Sequence, residues 1–188
     1  FVQLGYDRFG RTDYNFEDVK KYRDQIYEDI VPLVTELTDR KAKRLGIEEP
    51  KSYDLALSFL SGNPTPKGDR DWLVERAKTM YSEMSRETDE FFNFMVDRDL
   101  LDLDSKPGKQ GGGYCTYIPE YKSPFIFANF NGTSHDVDVL THEAGHAFQV
   151  YSSRDLLPEY RWPTMEAAEI HSMSMEFLAW PWIDQFFL

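Results

Sequence analysis

Five consecutive residues carry the strongest chemical signal in the chain: His142-Glu143-Ala144-Gly145-His146, an H-E-x-x-H pattern. On a helix, His142 and His146 stand one turn apart on the same side, so both imidazoles can reach one ion. Glu143 is offset by about 100° at 3.6 residues per turn. It therefore sits beside the ion, where its carboxylate can take a proton from a water held there. Gly145 costs about 1 kcal/mol of helix propensity, and a close neighbouring backbone would explain it. The alternative is a pair of ordinary histidines on an amphipathic helix. A third ligand decides between the two, because catalytic zinc takes three protein ligands and one water.

All four histidines fall between His135 and His171. The extended H-E-x-x-H-x-x-G-x-x-H pattern is excluded, since Gln149 and Ser152 occupy its glycine and third histidine positions. A downstream glutamate is the other common solution. The segment from Pro163 to Glu176 reads as a second helix opened by proline, with Glu166, Glu169, His171 and Glu176 as candidate ligands. The three glutamates recur at steps of three and seven, on roughly one face. A solvated acidic face would look the same. However, Ala167, Ala168, Ile170, Met173, Met175, Phe177 and Leu178 make the helix apolar on most sides. Partly buried carboxylates are expected there, and these need a metal or a hydrogen-bonding partner. The donor types favour zinc over cobalt or manganese, one Zn2+ per chain.

The elements that must position these groups are mostly helical. Asn15 begins a pattern in which Val19, Tyr22, Ile26, Ile30, Leu33, Val34 and Leu37 recur at helical steps, with Pro32 expected to kink it and Gly46 to end it. Asp69 to about Asp99 is helical again, with Leu73, Ala77, Tyr81, Met84, Phe91 and Met95 facing inward. Both segments read as scaffold. After Leu103 the chain becomes loop-like through Lys106–Gly113. Two segments of strand composition follow, Tyr114–Ile118 and Pro124–Phe130, joined by a short hairpin loop. Asn131-Gly132 supplies a turn, Thr133 or Ser134 a helix cap, and Asp136 and Asp138 suit the positive end of the helix that follows.

At 188 residues and a net charge of −12, the chain suits one ordinary domain and is a poor match for a nucleic-acid binder. No apolar run approaches the roughly 18 residues that a membrane span requires. The single Cys115 forms no internal disulfide, which fits a reducing, cytoplasmic setting. The chain opens on Phe1 without a Met and closes on Trp182–Leu188, an apolar end, so both ends read as cut and the absence of a visible signal peptide fits truncation.

The run Leu140–Phe148 around the two histidines, the upstream Gly-rich segment and the strand Ala128-Asn129-Phe130 resemble the oligoendopeptidase F and thimet oligopeptidase family of zinc metallopeptidases. That family carries its glutamate ligand at the start of a Glu-x-x-Ser-x-x-x-Glu run, here Glu169 to Glu176. The resemblance therefore implies Glu169 as third ligand, Glu166 as runner-up, and Glu176 as a group that orients an imidazole. It also implies an extended oligopeptide bound by the backbone of a strand matching Phe125–Phe130. Gly111, Gly112, Gly113 and Tyr114 match a mobile substrate-facing loop, and His171 is a further substrate contact. A plain hairpin with a loop is the alternative for both segments. The family's further substrate-contacting His and Tyr residues lie beyond Leu188.

The implied architecture is a mainly α metallopeptidase core with a small antiparallel sheet beside the zinc helix. It forms a single catalytic-core domain over 1–188, part of a longer protein whose C-terminal portion is missing here. Within it, 1–103 is helical scaffold, 104–133 the Gly-rich loop and hairpin, and 134–188 the zinc-binding helices. The implied activity is endopeptidic cleavage of oligopeptides, with no membrane or nucleic-acid partner and the oligomeric state open. A competing reading is a catalytically silent helical domain that binds peptides or assembles with another chain. A zinc enzyme acting on a non-peptide amide would use the same residues.

Overall fold

Asn15 accepts hydrogen bonds from the Glu17 and Asp18 amides while Asp18 reaches back to the Asn15 N–H at 3.0 Å, a reciprocal cap that starts the long helical stretch. The computed structural model describes residues 2–188, which fall into two compact units divided between Asn63 and Pro64. In the first unit, helix α1 (Val2–Arg8) precedes α2 (Phe16–Gln25) and α3 (Val31–Leu45). A π-helical turn, Ile26–Ile30, joins α2 to α3, with the Val31 N–H bonded five residues back to the Ile26 carbonyl. Pro32, which lacks an N–H, stands in the first turn of α3, so the expected interruption is a local widening just upstream of it. Gly46 closes α3 with φ 68°. Tyr22, Ile30, Leu33, Val34 and Leu37 remain exposed, so the stripe marked by sequence is helical without being covered. A 3-10 turn, Asp54–Ala56, completes this unit.

The second unit contains helices α4 (Arg70–Met84) and α5 (Arg86–Asp97), strands β1 (Leu101–Asp104), β2 (Tyr114–Ile118) and β3 (Ser123–Phe130), and helices α6 (His135–Ser153), α7 (Pro158–Arg161) and α8 (Met165–Ala179). A 3-10 segment, Trp180–Phe186, follows. The sequence predicts one helical run from Asp69 to Asp99, but the chain breaks it at Ser85. Ser85 is extended (φ −163°, ψ 162°) and caps α5 by accepting from Thr88 N–H. The Thr88 hydroxyl donates to the Tyr81 carbonyl at 2.7 Å, which satisfies a buried acceptor at the end of α4. Tyr81, Phe91 and Phe92 pack together in the core, and Phe91 also meets Phe148 and Tyr151 of α6.

The sheet has the order β1-β3-β2, with β1 parallel and β2 antiparallel to β3. The antiparallel pair matches the expected hairpin. The parallel strand β1 makes the sheet mixed rather than antiparallel, with Leu101 and Leu103 buried against the core. Helix α6 lies on this sheet through Val137, Leu140 and Ala144, and α8 packs along α6.

Neither Thr133 nor Ser134 makes the expected side-chain cap of α6; Ser134 takes the N-cap position without a side-chain bond. The work falls to Asp136, which is 3% exposed. Its carboxylate accepts from the Asn131 amide at 3.0 and 3.1 Å and from the Gly132 amide at 2.7 Å. This ties the end of β3 to the start of α6. Asp136→Ala leaves both amides unpartnered, so it should cost about 2–3 kcal/mol, read as a lower denaturant midpoint at unchanged slope. An unchanged midpoint would contradict this role.

Candidate metal centre

Helix α6 presents His142 and His146 on one side, with ring centroids 5.0 Å apart. Across from them, α8 delivers Glu169, whose Oε2 lies 3.3 Å from His142 Nε2 and 3.7 Å from His146 Nε2. These separations exceed a good N–H···O hydrogen bond. They match the roughly 3.4 Å between two ligands bound at 2.0–2.2 Å on a tetrahedral ion. One ligand atom from each of the three residues fits within a 4.8 Å span. The donor set and its spacing therefore fit zinc.

The supporting contacts fix these groups in place. Glu176 Oε1 lies 2.6 Å from His142 Nδ1, which directs the Nε2 lone pair towards the common point. The Ser172 hydroxyl, fully buried, donates to Glu169 Oε2 at 3.0 Å. Burial lowers the pKa of His146, and the neighbouring His142 and His171 act in the same direction against Glu169. The neutral imidazole that a metal needs is thereby favoured. Trp162 lies over the His146 ring, with centroids 6.4 Å apart at 30°. The Arg161 carbonyl holds the preceding turn by accepting from Gln149 and Ser153 side chains.

Glu143 stands beside the common point, only 7% exposed. Its Oε2 is buried without a hydrogen-bond partner among the described residues. Burial raises its pKa, the Glu169 charge adds to this, and His142 and the donated Cys115 backbone N–H oppose it. Such a carboxylate is a stronger proton acceptor than an exposed one. A cavity of about 400 Å³ opens here, lined by His135, Asp138, Val139, His142, Glu143 and Glu176.

Glu166 stands exposed on the first turn of α8, outside the group that converges. His171 is also exposed and outside that group; its backbone carbonyl faces Gly145. Gly112, Gly113, Asn129 and Phe130 line a neighbouring cavity of about 220 Å³ with His135, Asp136 and Val139. Tyr114 stacks on Phe127 at 4.9 Å. Ala128 is fully buried, which removes its side chain as a substrate contact. The expectation that Phe125–Phe130 offers its backbone to a peptide needs correcting over Phe125–Phe127. Those residues belong to β3, the central strand, between β1 and β2, whereas the pairing with β2 ends at Phe127 and leaves Ala128–Phe130 without a β2 partner. The free edge beside Glu143 belongs to β2.

Sequence reasoning did not single out Ser172 or Trp162. Ser172 stood inside the quoted run, at the i+3 step from Glu169. Trp162 reaches His146 through an irregular connection that leaves no periodic trace.

The chain is similar to known proteins both in sequence and in fold. The model of Peptidase family M3 matches residues 74–185. Oligoendopeptidase F, chromosomal, of Lactococcus lactis subsp. cremoris is 26% identical over 153 residues, covering 77% of this chain and 24% of that protein. A protein of Bacillus anthracis str. Ames assigned as an oligoendopeptidase F is 65% identical with a TM-score of 0.97, over 100% of this chain and 35% of its own. PZ peptidase A with an inhibitor is 60% identical with a TM-score of 0.98, over 100% of this chain and 34% of its own. The chain thus spans about a quarter of the curated relative and about a third of the solved ones.

The contact that brings the ligands together is testable. A methyl group on Gly145 would lie 2.7 Å from Ser172 Cα and 2.8 Å from the His171 carbonyl oxygen. Gly145→Ala would gain helix propensity, yet it must push α8 away. Zinc affinity, measured by competition with a chromophoric chelator, should fall about tenfold or more. Unchanged affinity would contradict the assigned role of this contact. The family match covers more than half of the chain and contains every residue of the constellation from His142 to Glu176, so this chain belongs to Peptidase family M3.

Proposed function

We propose that the chain is part of a zinc metalloendopeptidase that hydrolyses internal bonds of oligopeptides, with His142, His146 and Glu169 holding one Zn2+ and Glu143 as general base. The observation that carries this reading is the convergence of two imidazoles and a carboxylate beside a buried carboxylate, one oxygen of which has no partner among the described residues. When bound, the metal would acidify a water and polarise the scissile carbonyl. Glu143 takes the proton from the attacking water and returns it to the departing amine. Glu176 keeps the His142 ring in one tautomer throughout.

The edge of β2, which starts at Tyr114 and is free among the described residues, supports docking of an extended peptide through its backbone, with Gly112 and Gly113 forming the adjoining wall. The acidic net charge argues against nucleic acid as a partner. No helix among the described residues is long and apolar enough to cross a membrane. The lone Cys115, its thiol pushed up to about 12 by burial and by Glu143, suits a cytoplasmic setting without disulfides.

Glu143→Gln should retain zinc while chelator-sensitive cleavage of quenched-fluorescent oligopeptides falls about a thousandfold. Turnover equal to that of the wild type would remove Glu143 as the base. Glu169→Ala should weaken zinc binding by about tenfold or more, whereas Glu166→Ala should leave it unchanged. The reverse pattern in a metal titration would transfer the ligand role to Glu166.

A further inference from the structure

Three consecutive glycines, Gly111–Gly113, have the greatest conformational freedom a chain can carry. Their order must come from outside the segment, and two side chains supply it. Lys109 lies at its foot with a side chain only 7% exposed. Its ammonium donates to the carbonyls of Asp102 at 3.0 Å and Asp104 at 2.7 Å and pairs with Asp102 Oδ1 at 3.1 Å. It also stands 4.4 Å from the centroid of the Phe127 ring. On β3, Asn129 Nδ2 gives both of its hydrogens to the segment, to the Gln110 carbonyl at 2.8 Å and the Gly112 carbonyl at 2.9 Å.

These anchors lead directly to Glu143. Gly112 adopts φ 97°, open to glycine and strained for other residues, and this turns the chain into β2. At Gly113, an added Cβ would lie 3.4 Å from Glu143 Oε1. Two residues further on, the Cys115 backbone N–H faces Glu143 and holds its pKa down against burial. The other oxygen, Oε2, has no partner among the described residues. The orientation of that carboxylate thus depends on where Gly113 and Cys115 are held.

We propose that Asn129 and Lys109 are positioning residues, which pin Gln110–Gly113 to the sheet so that Glu143 keeps one orientation beside the metal centre. This makes the Gly-rich segment a fixed wall rather than a free loop. It also gives Asn129 an anchoring role in place of the substrate contact expected from sequence. The proposal rests on the reading of Glu143 as the base.

The chemistry separates anchoring from mere size. Asn129→Ala removes both donors. Asn129→Asp keeps the shape but sets a carboxylate against two carbonyl oxygens, so it should act at least as strongly. Hydrogen exchange of the zinc-loaded protein should show protection of the β2 end that this segment leads into, Tyr114–Thr116 paired with β3, falling about tenfold or more in both variants, with zinc affinity unchanged. In peptide hydrolysis, kcat should fall about tenfold or more while KM changes little, since a displaced base slows the reaction without weakening binding. Lys109→Met, which keeps the aliphatic stem, should act in the same direction.

Unchanged protection in these variants would overturn the anchoring. Lost protection with kcat intact, in a wild-type protein that is active, would overturn the link to Glu143. A wild-type chain that binds zinc and cleaves nothing would mean that cleavage needs the rest of the protein, and the exchange measurements would then decide the anchoring by themselves.

Discussion

The approach of α8 to α6 at Gly145 is the contact on which the proposed metal centre depends. Two backbones meet there at a separation that no side chain permits, with Ser172 and Met175 of α8 against the bare Cα of residue 145. The consequence is geometric. Glu169 lies one helical turn before Ser172, and His142 and His146 flank Gly145. Bringing those two points together brings the three proposed ligands to one place. The helix-propensity cost of a glycine in mid-helix is thus the cost of the site.

The same contact sets the electrostatics. Packing α8 against α6 and the sheet beneath them leaves Glu143 nearly dry, while Glu169 and Glu176 stay half-open at the rim of the cavity. A buried carboxylate near a second carboxylate is unfavourable when ionised, and its pKa rises for that reason. Removing Glu143 from water and leaving one oxygen unpartnered costs stability. Such a cost is tolerated where a group must be ready to accept a proton.

Much of this centre is legible in the sequence because its signals are local. The helical steps from His142 to His146 and from Glu169 to Glu176, the glycine between the histidines, and the composition of Tyr114–Ile118 each need only a few neighbouring residues to be recognised. What escaped reading depends on distant partners. Strand β1 is only Leu101-Asp102-Leu103-Asp104, and its alternation becomes a strand through a parallel partner more than twenty residues later. The break at Ser85 interrupts a periodicity that continues on both sides. Asp136 caps backward into a turn, a role indistinguishable in sequence from a helix-dipole carboxylate. Ser172 and Asn129 act through hydrogen bonds, which leave no period. The position of a strand in its sheet escapes for the same reason: composition identifies a strand and topology decides which one is central.

The central claim is that two imidazoles and one carboxylate bind a single zinc ion. X-ray absorption of the zinc-loaded protein tests it most directly. The account predicts a first shell of two imidazole nitrogens and oxygen donors at about 2.0–2.2 Å, with one zinc per chain. A sulfur donor at about 2.3 Å, or a shell of oxygens without imidazole, would contradict it.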